Sequence, residues 1–302
     1  MENGPIFIGG LDRSGKTLLR RMLGQHPRLA LTRRTYLWTR FYNRYGDLAQ
    51  PENLERCLQA MLKQSAIQAL QPDVERIRRE FGQGPATYAR LFELFHRHNA
   101  ERLGKPRWGD QLGTVERFAE IIFAAYPEAK MIHMVRDPRD RYAAALDDML
   151  RGKTARRPGW KAGWSVARWQ YSARLAERNR RSFPDRYLVL RYEALLQDPA
   201  RTLTAVCQFL GETFDPCMLE LENEPGETAD EQEDASVGQR ISVGEIAFAQ
   251  LIAARDMRRL GYGMEPVRFS AGKAAAFALV DLPLNLAGMM YWRFTERRNF
   301  NG

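Results

Sequence analysis

A glycine-rich loop after a short apolar segment is the feature that most constrains this chain. Gly10 to Thr17 reads Gly-Leu-Asp-Arg-Ser-Gly-Lys-Thr and matches the pattern GxxxxGK followed by Ser or Thr. The apolar run Pro5 to Gly9 precedes the loop, and a helical pattern from Thr17 to Gln25 follows it. Glycines let the backbone turn so tightly that successive N–H groups point inward, and the helix adds the positive end of its dipole. The segment therefore predicts a phosphate-binding loop, in which Arg13 and Lys16 add full positive charge.

Two further apolar runs, Lys130 to Val135 and Arg186 to Leu190, predict strands of the same sheet. Helical patterns lie between the strands, at Asn53 to Leu70 and at Val115 to Ala125. Strands that alternate with helices predict an α/β fold in which helices flank a central parallel sheet. A chain of 302 residues with 44% hydrophobic residues is large enough to form such a core in a single domain. We predict that this domain spans residues 1–266 and that residues 267–302 form a C-terminal helical extension.

The second predicted strand runs directly into a cluster of guanidinium groups, those of Arg136, Arg139 and Arg141. Ligands of open α/β sheets bind at the carboxyl ends of the strands, which is where this cluster lies. Arginine binds phosphate oxygens through a rigid pair of donors, whereas magnesium in P-loop enzymes requires an aspartate at the end of the second strand. The cluster therefore predicts a second phosphate site, and the two sites together predict a nucleotide phosphorylated at two distant positions.

These two segments resemble the sulfotransferase family, which shows an RSGTT-like loop first and a VRDPRD-like strand end later. The resemblance extends from Gly4 to Pro266 and includes four more segments in the family's order: Leu23 to Pro27, Arg107 to Asp110, Arg191 to Glu193 and Leu260 to Tyr262. It implies a P-loop-like fold, distantly similar to that of the protein-tyrosine sulfotransferases. It also implies transfer of a sulfuryl group from 3′-phosphoadenosine 5′-phosphosulfate (PAPS) to a hydroxyl or amine of an acceptor.

The resemblance implies which residues bind PAPS. It places the phosphate loop on the 5′-phosphosulfate, Arg136 on the 3′-phosphate and Tyr192 near the adenosine. The family also places a serine and a basic residue near the 3′-phosphate, and Ser236 and Arg240 are the candidates for them. The implied binding residues are Arg13, Ser14, Gly15, Lys16, Thr17, Arg136, Tyr192, Ser236 and Arg240. No metal ion is expected.

Four positions depart from the family's pattern. Lys16 stands where relatives usually carry threonine, and Ala144 replaces a serine that binds the 3′-phosphate. Arg34 stands where protein-tyrosine sulfotransferases carry an acidic residue, and Gln111 replaces a lysine of many bacterial relatives. Lys16 keeps open the alternative of a P-loop kinase or another ATP-dependent enzyme. The other three positions keep open a relative that binds a nucleotide or a glycan without catalysis.

Sulfuryl transfer requires cations around the moving group and a base near the attacking oxygen. Lys16 and Arg13 are predicted to stabilise charge on the bridging oxygen of the leaving nucleotide. Asp110 is predicted as the general base, because it lies in a predicted loop that the resemblance places at the acceptor cleft. The alternative role for Asp110 is to cap the helix that follows. Asp12 is the second candidate for the base, or it orients Arg13.

Composition narrows the partners and the compartment. The net charge of +9 is distributed along the chain in short arginine pairs without the pattern of a nucleic-acid-binding module, so we expect no nucleic acid partner. The three cysteines, Cys57, Cys207 and Cys217, lie far apart and lack metal-ligand spacing, which predicts a reduced, cytoplasmic protein. The apolar run at Pro5 follows Met1 so closely that no signal peptide is predicted.

Two segments are candidates for contact with partners. Basic and aromatic residues alternate from Arg33 to Tyr45, which suits a small-molecule, glycan or lipid acceptor and is also typical of a partly buried core. The segment from Ala274 to Trp292 is apolar, but Asp281 and Asn285 near its centre argue against a membrane-spanning helix. This segment suits packing on the body of the protein, contact with an oligomer partner, or peripheral contact with a membrane surface.

Overall fold

The computed structural model of the chain describes residues 4–150, 161–221 and 241–300. The chain forms two compact units. The first unit contains Met1–Gly10, Gly15–Met134 and Arg178–Gly226, and the second contains Leu11–Ser14, Val135–Glu177 and Glu227–Gly302. Residues 267–300 therefore belong to the second unit, and the predicted domain boundary at residue 266 stays a prediction.

A five-stranded sheet lies in the first unit, apart from Val135 at the end of its fourth strand. Its strands are β1 (Ile6–Gly10), β2 (Leu29–Arg33), β3 (Arg107–Gln111), β4 (Lys130–Val135) and β5 (Tyr187–Arg191), in the order β2-β3-β1-β4-β5. β1 pairs in parallel with β3 and with β4, and β2 pairs in parallel with β3. The sheet confirms the predicted α/β fold and places β1, which leads into the phosphate loop, at its centre.

Helices connect and flank these strands. In chain order they are α1 (Lys16–Gln25), α2 (Pro51–Leu62), α3 (Ser65–Gln68), α4 (Val74–Phe81), α5 (Tyr88–Arg102), α6 (Ala119–Ala125), α7 (Pro138–Leu150), α8 (Lys161–Ser182), α9 (Tyr192–Gln197), α10 (Pro199–Leu210), α11 (Val243–Arg259), α12 (Ala271–Ala276) and α13 (Leu282–Phe300). Of these, α1, α7 and α9 begin within six residues of the ends of β1, β4 and β5. α10 illustrates how nearby residues set both ends of a helix. The Asp198 side chain accepts from the N–H of Arg201, Pro199 occupies the first turn, and Gly211 ends the helix with φ of 74°.

The side chains of β1 alternate between two hydrophobic layers. Phe7 packs in a cluster that contains Trp38, whereas Ile6 and Ile8 pack in a second cluster with Leu19 of α1. This alternation is the period of two that strand geometry imposes. All five residues of β1 are buried, so the strand that carries the phosphate loop is held on both faces. In the second unit, a separate core forms around Trp169, Phe248, Met257 and Trp292.

β2 and β3 are the strands that the sequence does not predict. β3 reads Arg-Trp-Gly-Asp-Gln, and all five residues are buried although three of them are polar or charged. Nε of Arg107 donates to the carbonyl oxygen of Gly4 at 2.7 Å, and Nη1 pairs with Glu212 at 3.0 Å. Because these partners come from distant segments, no local pattern indicates a buried strand. The prediction that Asp110 lies in a loop is therefore wrong, since Asp110 lies in β3.

The single helix predicted from Asn53 to Leu70 is also wrong. Two helices, α2 and α3, occupy this segment. Gln64, between them, has extended backbone angles, with φ of −86° and ψ of 126°. The helical path therefore ends before Gln64 and starts again at Ser65, although the apolar pattern continues across the break.

α12 and α13 are joined by the π-helical segment Phe277–Asp281 and together form one long apolar helix near the C-terminus. Ala271–Thr295 spans 25 residues, its most apolar stretch has a mean hydropathy of 1.4, and 11% of that stretch is buried. By length and composition alone this helix is sufficient to cross a membrane. A single helix of this kind is weak evidence for a membrane span, because core helices of soluble proteins meet the same criteria.

Candidate active site

The phosphate loop contains three left-handed backbone positions. Gly10, Arg13 and Gly15 have φ angles of 117°, 62° and 87°. Left-handed residues within a tight loop direct successive N–H groups to one side and so form a concave site for anions. α1 begins at Lys16 with Gly15 as its N-cap, and no side-chain hydrogen bond caps its first turn. The loop and the first turn of α1 thus have the arrangement in which helix N-termini bind phosphate.

Tyr192 explains why residue 15 is glycine. A Cβ atom added to Gly15 would lie 2.1 Å from Cδ2 of Tyr192, well inside contact distance. Tyr192 is the first residue of α9 and is 2% exposed. The structure therefore places the ring of Tyr192 directly against the phosphate loop, and the role predicted for it beside adenosine stays a prediction.

Lys16 folds back onto the start of the loop. Its Nζ donates to the carbonyl oxygen of Gly10 at 2.8 Å, and Lys16 and Thr17 are both buried. The hydroxyl of Ser14, which is also buried, donates to the carbonyl oxygen of Leu11 at 2.7 Å. The predicted ligands Lys16 and Ser14 therefore both stabilise the loop conformation, and the ammonium charge of Lys16 is held within the loop.

Glu116 is a buried carboxylate beside the loop that sequence reasoning missed. Its Oε2 accepts from the N–H of Gly10 at 3.0 Å, and its backbone carbonyl accepts from Nδ2 of Asn179 at 2.8 Å. A Cβ atom at Gly9 would lie 2.7 Å from the same Oε2, so the glycine lets the carboxylate approach the strand. Glu116 therefore fixes the junction between β1 and the loop. The paired glycines at this junction were the available signal, although they do not indicate which residue approaches.

His133 of β4 is a core histidine. It is fully buried, and its Nδ1 lies 2.6 Å from the hydroxyl oxygen of Tyr187. Burial lowers the pKa of His133, Glu116 opposes this effect, and Lys16 lowers the pKa further. His133 is therefore held neutral and is satisfied by the hydrogen bond to Tyr187.

Asp110 is fully enclosed between β2, β3 and α5. It is 0% exposed, its Oδ1 accepts from the hydroxyl of Thr32 at 2.8 Å, and its Oδ2 accepts from the hydroxyl of Thr35. Nε2 of His96 lies 3.9 Å from Oδ2, and burial lowers the pKa of His96 although Asp110 opposes it. Both carboxylate oxygens are therefore engaged by neighbouring side chains in this conformation. The role of Asp110 as the general base stays a prediction.

The segment that follows β4 contains residues with two kinds of contact, some with neighbouring helices and one with the phosphate loop. Asp137 accepts from Nε of Arg139 at 2.9 Å and from its Nη2 at 2.6 Å. Nη1 of Arg139 also donates to Oε1 of Gln250 on α11 at 2.7 Å. These two residues therefore stabilise the start of α7 and its contact with α11. Arg136 instead donates from Nη1 to the backbone carbonyl oxygen of Arg13 in the phosphate loop at 3.3 Å. Its own carbonyl accepts from Trp169 Nε1 at 2.8 Å.

Arg141 is a second buried arginine that sequence reasoning did not single out as a ligand. It is 2% exposed, it donates to the hydroxyl of Ser165, and its Nη1 lies 3.4 Å from the carbonyl oxygen of Asp12. Its Nε is buried without a hydrogen-bond partner. Burial lowers the pKa of Arg141 to about 10, Asp12 opposes this, and Arg168 and Arg136 lower it further. Its guanidinium therefore lies where positive charge is already dense.

Ion pairs engage the charged residues Arg13 and Asp12 of the loop. Nε of Arg13 pairs with Asp148 of α7 at 3.0 Å. Asp12, whose side chain is 52% exposed, pairs through Oδ1 with Nη2 of Arg168 at 2.6 Å and through Oδ2 with Nη1 of Arg141 at 3.8 Å. Asp12 therefore neutralises part of the arginine charge and remains accessible to solvent.

The segment from Arg33 to Tyr45, which the sequence suggests for the acceptor and which we call the acceptor stripe, is divided between core and surface. Trp38 and Phe41 are buried in the core of the first unit, whereas the guanidinium of Arg40 lies 4.3 Å from the ring centroid of Tyr36 at a more exposed position. Arg34 has a left-handed backbone with φ of 49°, and its N–H donates to the carbonyl oxygen of Gln111 at 2.7 Å. The aromatic part of the stripe is therefore mostly structural.

Some predicted residues cannot be placed. Ser236 and Arg240 lie outside the described residues. Their predicted roles stay predictions. In the part of the chain that the structure describes, no group of three His, Cys, Asp or Glu side chains is arranged to hold a metal ion.

The fold and the loop define an α/β protein with a P-loop-like turn between β1 and α1. The family model described as the sulfotransferase family matches residues 5–216. This match covers more than half of the chain, so the chain belongs to the sulfotransferase family and is a sulfotransferase enzyme. The result favours the sulfotransferase prediction over the alternative of an ATP-dependent kinase.

Two of the solved structures that share this fold are sulfotransferase domains. The sulfotransferase domain from the olefin synthase of Synechococcus PCC 7002 is 22% identical with a TM-score of 0.57, and the match covers 87% of this chain and 96% of that one. The sulfotransferase domain from the curacin biosynthetic pathway is 18% identical with a TM-score of 0.55, and the match covers 87% of this chain and 99% of that one. At these identities the similarity shows the fold alone. Among curated protein sequences, none matches this chain.

Proposed function

We propose that this sulfotransferase acts in the cytoplasm, takes its sulfuryl group from PAPS, and transfers it to a hydroxyl or amine of a small-molecule, glycan or lipid acceptor. The observation that supports PAPS as the donor is the contact between Arg136 and the phosphate loop. Nη1 of Arg136, at the end of β4, donates to the carbonyl oxygen of Arg13 at 3.3 Å. The cation predicted for the 3′-phosphate thus lies beside part of the loop predicted for the 5′-phosphosulfate, which supports a donor with two separate anionic groups.

The charges near Arg136 fit such a donor. Arg141 carries a buried Nε without a hydrogen-bond partner, and its lowered pKa reflects burial together with the nearby charges of Arg168 and Arg136. A phosphate group bound near these guanidiniums would relieve both effects, because it supplies acceptor oxygens and negative charge. Arg141 and Ala144 lie three residues apart on α7 and so share one face of the helix. Arg141 therefore offers a charged donor near the position where the family carries a serine.

PAPS supplies an activated sulfuryl group when it is bound. The chain contributes the cations: Lys16 is held in the loop by the carbonyl of Gly10, and Arg13 is held by Asp148. Cations that are fixed before the reaction stabilise the charge that develops on a leaving group without reorganisation. Asp110 remains the first candidate for the general base, and Asp12 is the second, with a side chain that is 52% exposed.

The variant Arg136→Leu tests the donor. We expect the wild-type protein to bind 3′,5′-adenosine bisphosphate more tightly than 5′-AMP, because Arg136 binds the additional phosphate. In Arg136→Leu, affinity for the bisphosphate should fall by about 10- to 100-fold, since a hydrogen bond to a charged group contributes about 1.5–3 kcal/mol. Affinity for 5′-AMP should remain unchanged. Isothermal titration calorimetry with both nucleotides measures this difference.

The matched control is Arg255→Leu, which removes an exposed arginine from α11. This variant should distinguish the two nucleotides as well as the wild-type protein does. Equal binding of bisphosphate and 5′-AMP by the wild-type protein would contradict the proposal. An equal loss in both variants would show that the effect comes from net charge and not from a site at Arg136.

A further inference from the structure

The helix Ala271–Thr295 presents an apolar face that the described residues of the second unit leave exposed. Side chains three or four residues apart share a face of a helix. Large apolar side chains on this face are between 46% and 78% exposed, and we call the following six residues the apolar stripe: Leu279, Val280, Leu284, Met290, Tyr291 and Phe294. At a rise of about 1.5 Å per residue, the stripe extends along about 22 Å of helix.

The opposite face of the same helix packs on the second unit. Trp292 is buried, and its ring centroid lies 5.9 Å from that of Tyr171 on α8. Oδ1 of Asn285 accepts from the backbone N–H of Gly163 at 2.8 Å. The carboxylate of Asp281 lies beside α11, where a Cβ atom on Gly244 would be 3.2 Å from Oδ2. The polar residues that argue against a membrane span therefore lie on the packed face, and the stripe contains no charged residue.

We infer that the apolar stripe binds the surface of an anionic lipid bilayer, with the helix lying in the plane of the interface. A helix held to the protein along one face is unable to cross the bilayer, but its outer face can enter the boundary between headgroups and acyl chains. Lys273 precedes the stripe, Arg293 borders it between Tyr291 and Phe294 in the sequence, and the sequence continues after Thr295 with Glu296, Arg297 and Arg298. Basic residues near both ends of the stripe match the charge of anionic headgroups.

The charges also distinguish a bilayer from a second copy of the chain. A two-fold dimer buries the same patch on both subunits, so the basic ends of the two stripes would lie within one interface. Like charges brought together in this way oppose association. Tyr291 and Phe294 lie beside the basic end of the stripe. Aromatic and basic residues in this combination are typical of the zone where a membrane meets water.

Co-sedimentation of the full-length protein with vesicles tests this inference. Wild-type protein should sediment with vesicles of phosphatidylcholine and phosphatidylglycerol in equal parts, bind pure phosphatidylcholine vesicles less, and dissociate as salt is raised. The double variant Leu279→Glu with Leu284→Glu should lower partitioning onto the mixed vesicles by about tenfold or more, because it places two carboxylates on the buried side of the interface.

The matched control is Val243→Glu with Leu251→Glu, which changes two exposed apolar residues of α11 in the same unit and should sediment like the wild-type protein. A second stripe variant, Tyr291→Ser with Phe294→Ser, replaces the first if that protein does not fold, as judged by circular dichroism. Wild-type protein that stays in the supernatant with both vesicles would overturn the inference, and so would a stripe variant that sediments fully. Sedimentation velocity that shows a wild-type dimer, lost in the stripe variant and without vesicle binding, would assign the stripe to a second copy.

Discussion

Lys16 shows how a single residue sets the charge of the phosphate loop. The family usually carries threonine at this position, and here the ammonium of Lys16 donates to the carbonyl oxygen of Gly10 at 2.8 Å. The loop therefore contains its own cation before any ligand binds. Gln111 stands where many bacterial relatives carry a lysine, and it stays a prediction that Lys16 supplies the charge missing at Gln111.

The substitution Lys16→Ala should abolish most of the transfer activity. Removal of one preorganised donor from the site where charge develops lowers the rate by about two to three orders of magnitude. Affinity for 3′,5′-adenosine bisphosphate should also fall, because the loop loses its ammonium group. The release of label from PAPS, to water or to any acceptor that is identified, measures the rate, and calorimetry measures the affinity.

Lys63→Ala is the control for Lys16→Ala, since Lys63 is an exposed lysine at the end of α2. It should leave both the rate and the affinity unchanged. A Lys16→Ala protein that transfers sulfuryl groups at the wild-type rate would refute the charge role assigned to this residue.

Residue types at fixed spacing made some functional positions predictable and left others hidden. The phosphate loop and Arg136 belong to motifs, so the sequence indicates them directly. Glu116 contacts the loop from a helical turn 106 residues away in the sequence, and it belongs to no motif that predicts this contact. Arg141 falls within a motif segment, but its significance depends on complete burial beside Asp12, which only the folded chain shows.

At the scale of elements, the sequence predicts the strands that consist mainly of apolar side chains, because such strands favour burial without partners from elsewhere in the chain. β1, β4 and β5 are apolar runs and lie within one residue of their predicted bounds. β3 is stabilised by contacts that its sequence does not encode locally, such as the ion pair between Arg107 and Glu212. Asp110 belongs to the same strand and bonds to Thr32 of β2. Its position therefore depends on strand pairing, which residue patterns alone did not reveal.

The substitution Asp110→Asn separates a catalytic role from a structural one. Because Asp110 accepts hydrogen bonds from Thr32 and Thr35, the substitution should lower the free energy of unfolding by about 1–3 kcal/mol. If Asp110 is also the general base, the transfer rate should fall by about two to four orders of magnitude with unchanged affinity for the bisphosphate. Denaturant unfolding, calorimetry and the transfer rate measure the three effects.

Thr35→Val is the matched control for Asp110→Asn. It removes one hydrogen bond to the carboxylate and keeps the carboxylate itself, so it should lower stability without a comparable loss of rate. A wild-type transfer rate in folded Asp110→Asn would contradict the prediction that Asp110 is the base. The candidate would then be Asp12, which pairs with Arg168 and is partly exposed.

At the scale of the whole molecule, the family match, the sheet order and the phosphate loop agree on a sulfotransferase. The overall composition predicted neither the acceptor nor the apolar stripe, because a net charge of +9 suits several kinds of anionic partner. The stripe depends on which face of the helix the second unit covers, and hydropathy along the sequence does not record this. Cytoplasmic localisation and an oligomeric state stay predictions.

Calorimetric titration of the wild-type protein with 3′,5′-adenosine bisphosphate, and separately with ATP and magnesium, tests whether the chain binds a PAPS-type donor. We expect tight binding of the bisphosphate and weak binding of ATP, because Arg136 and the phosphate loop are proposed to bind two separate anionic groups. Tight binding of ATP with magnesium and weak binding of the bisphosphate would contradict this expectation, and would mean that Lys16 marks a triphosphate site and that Arg136 serves another anion.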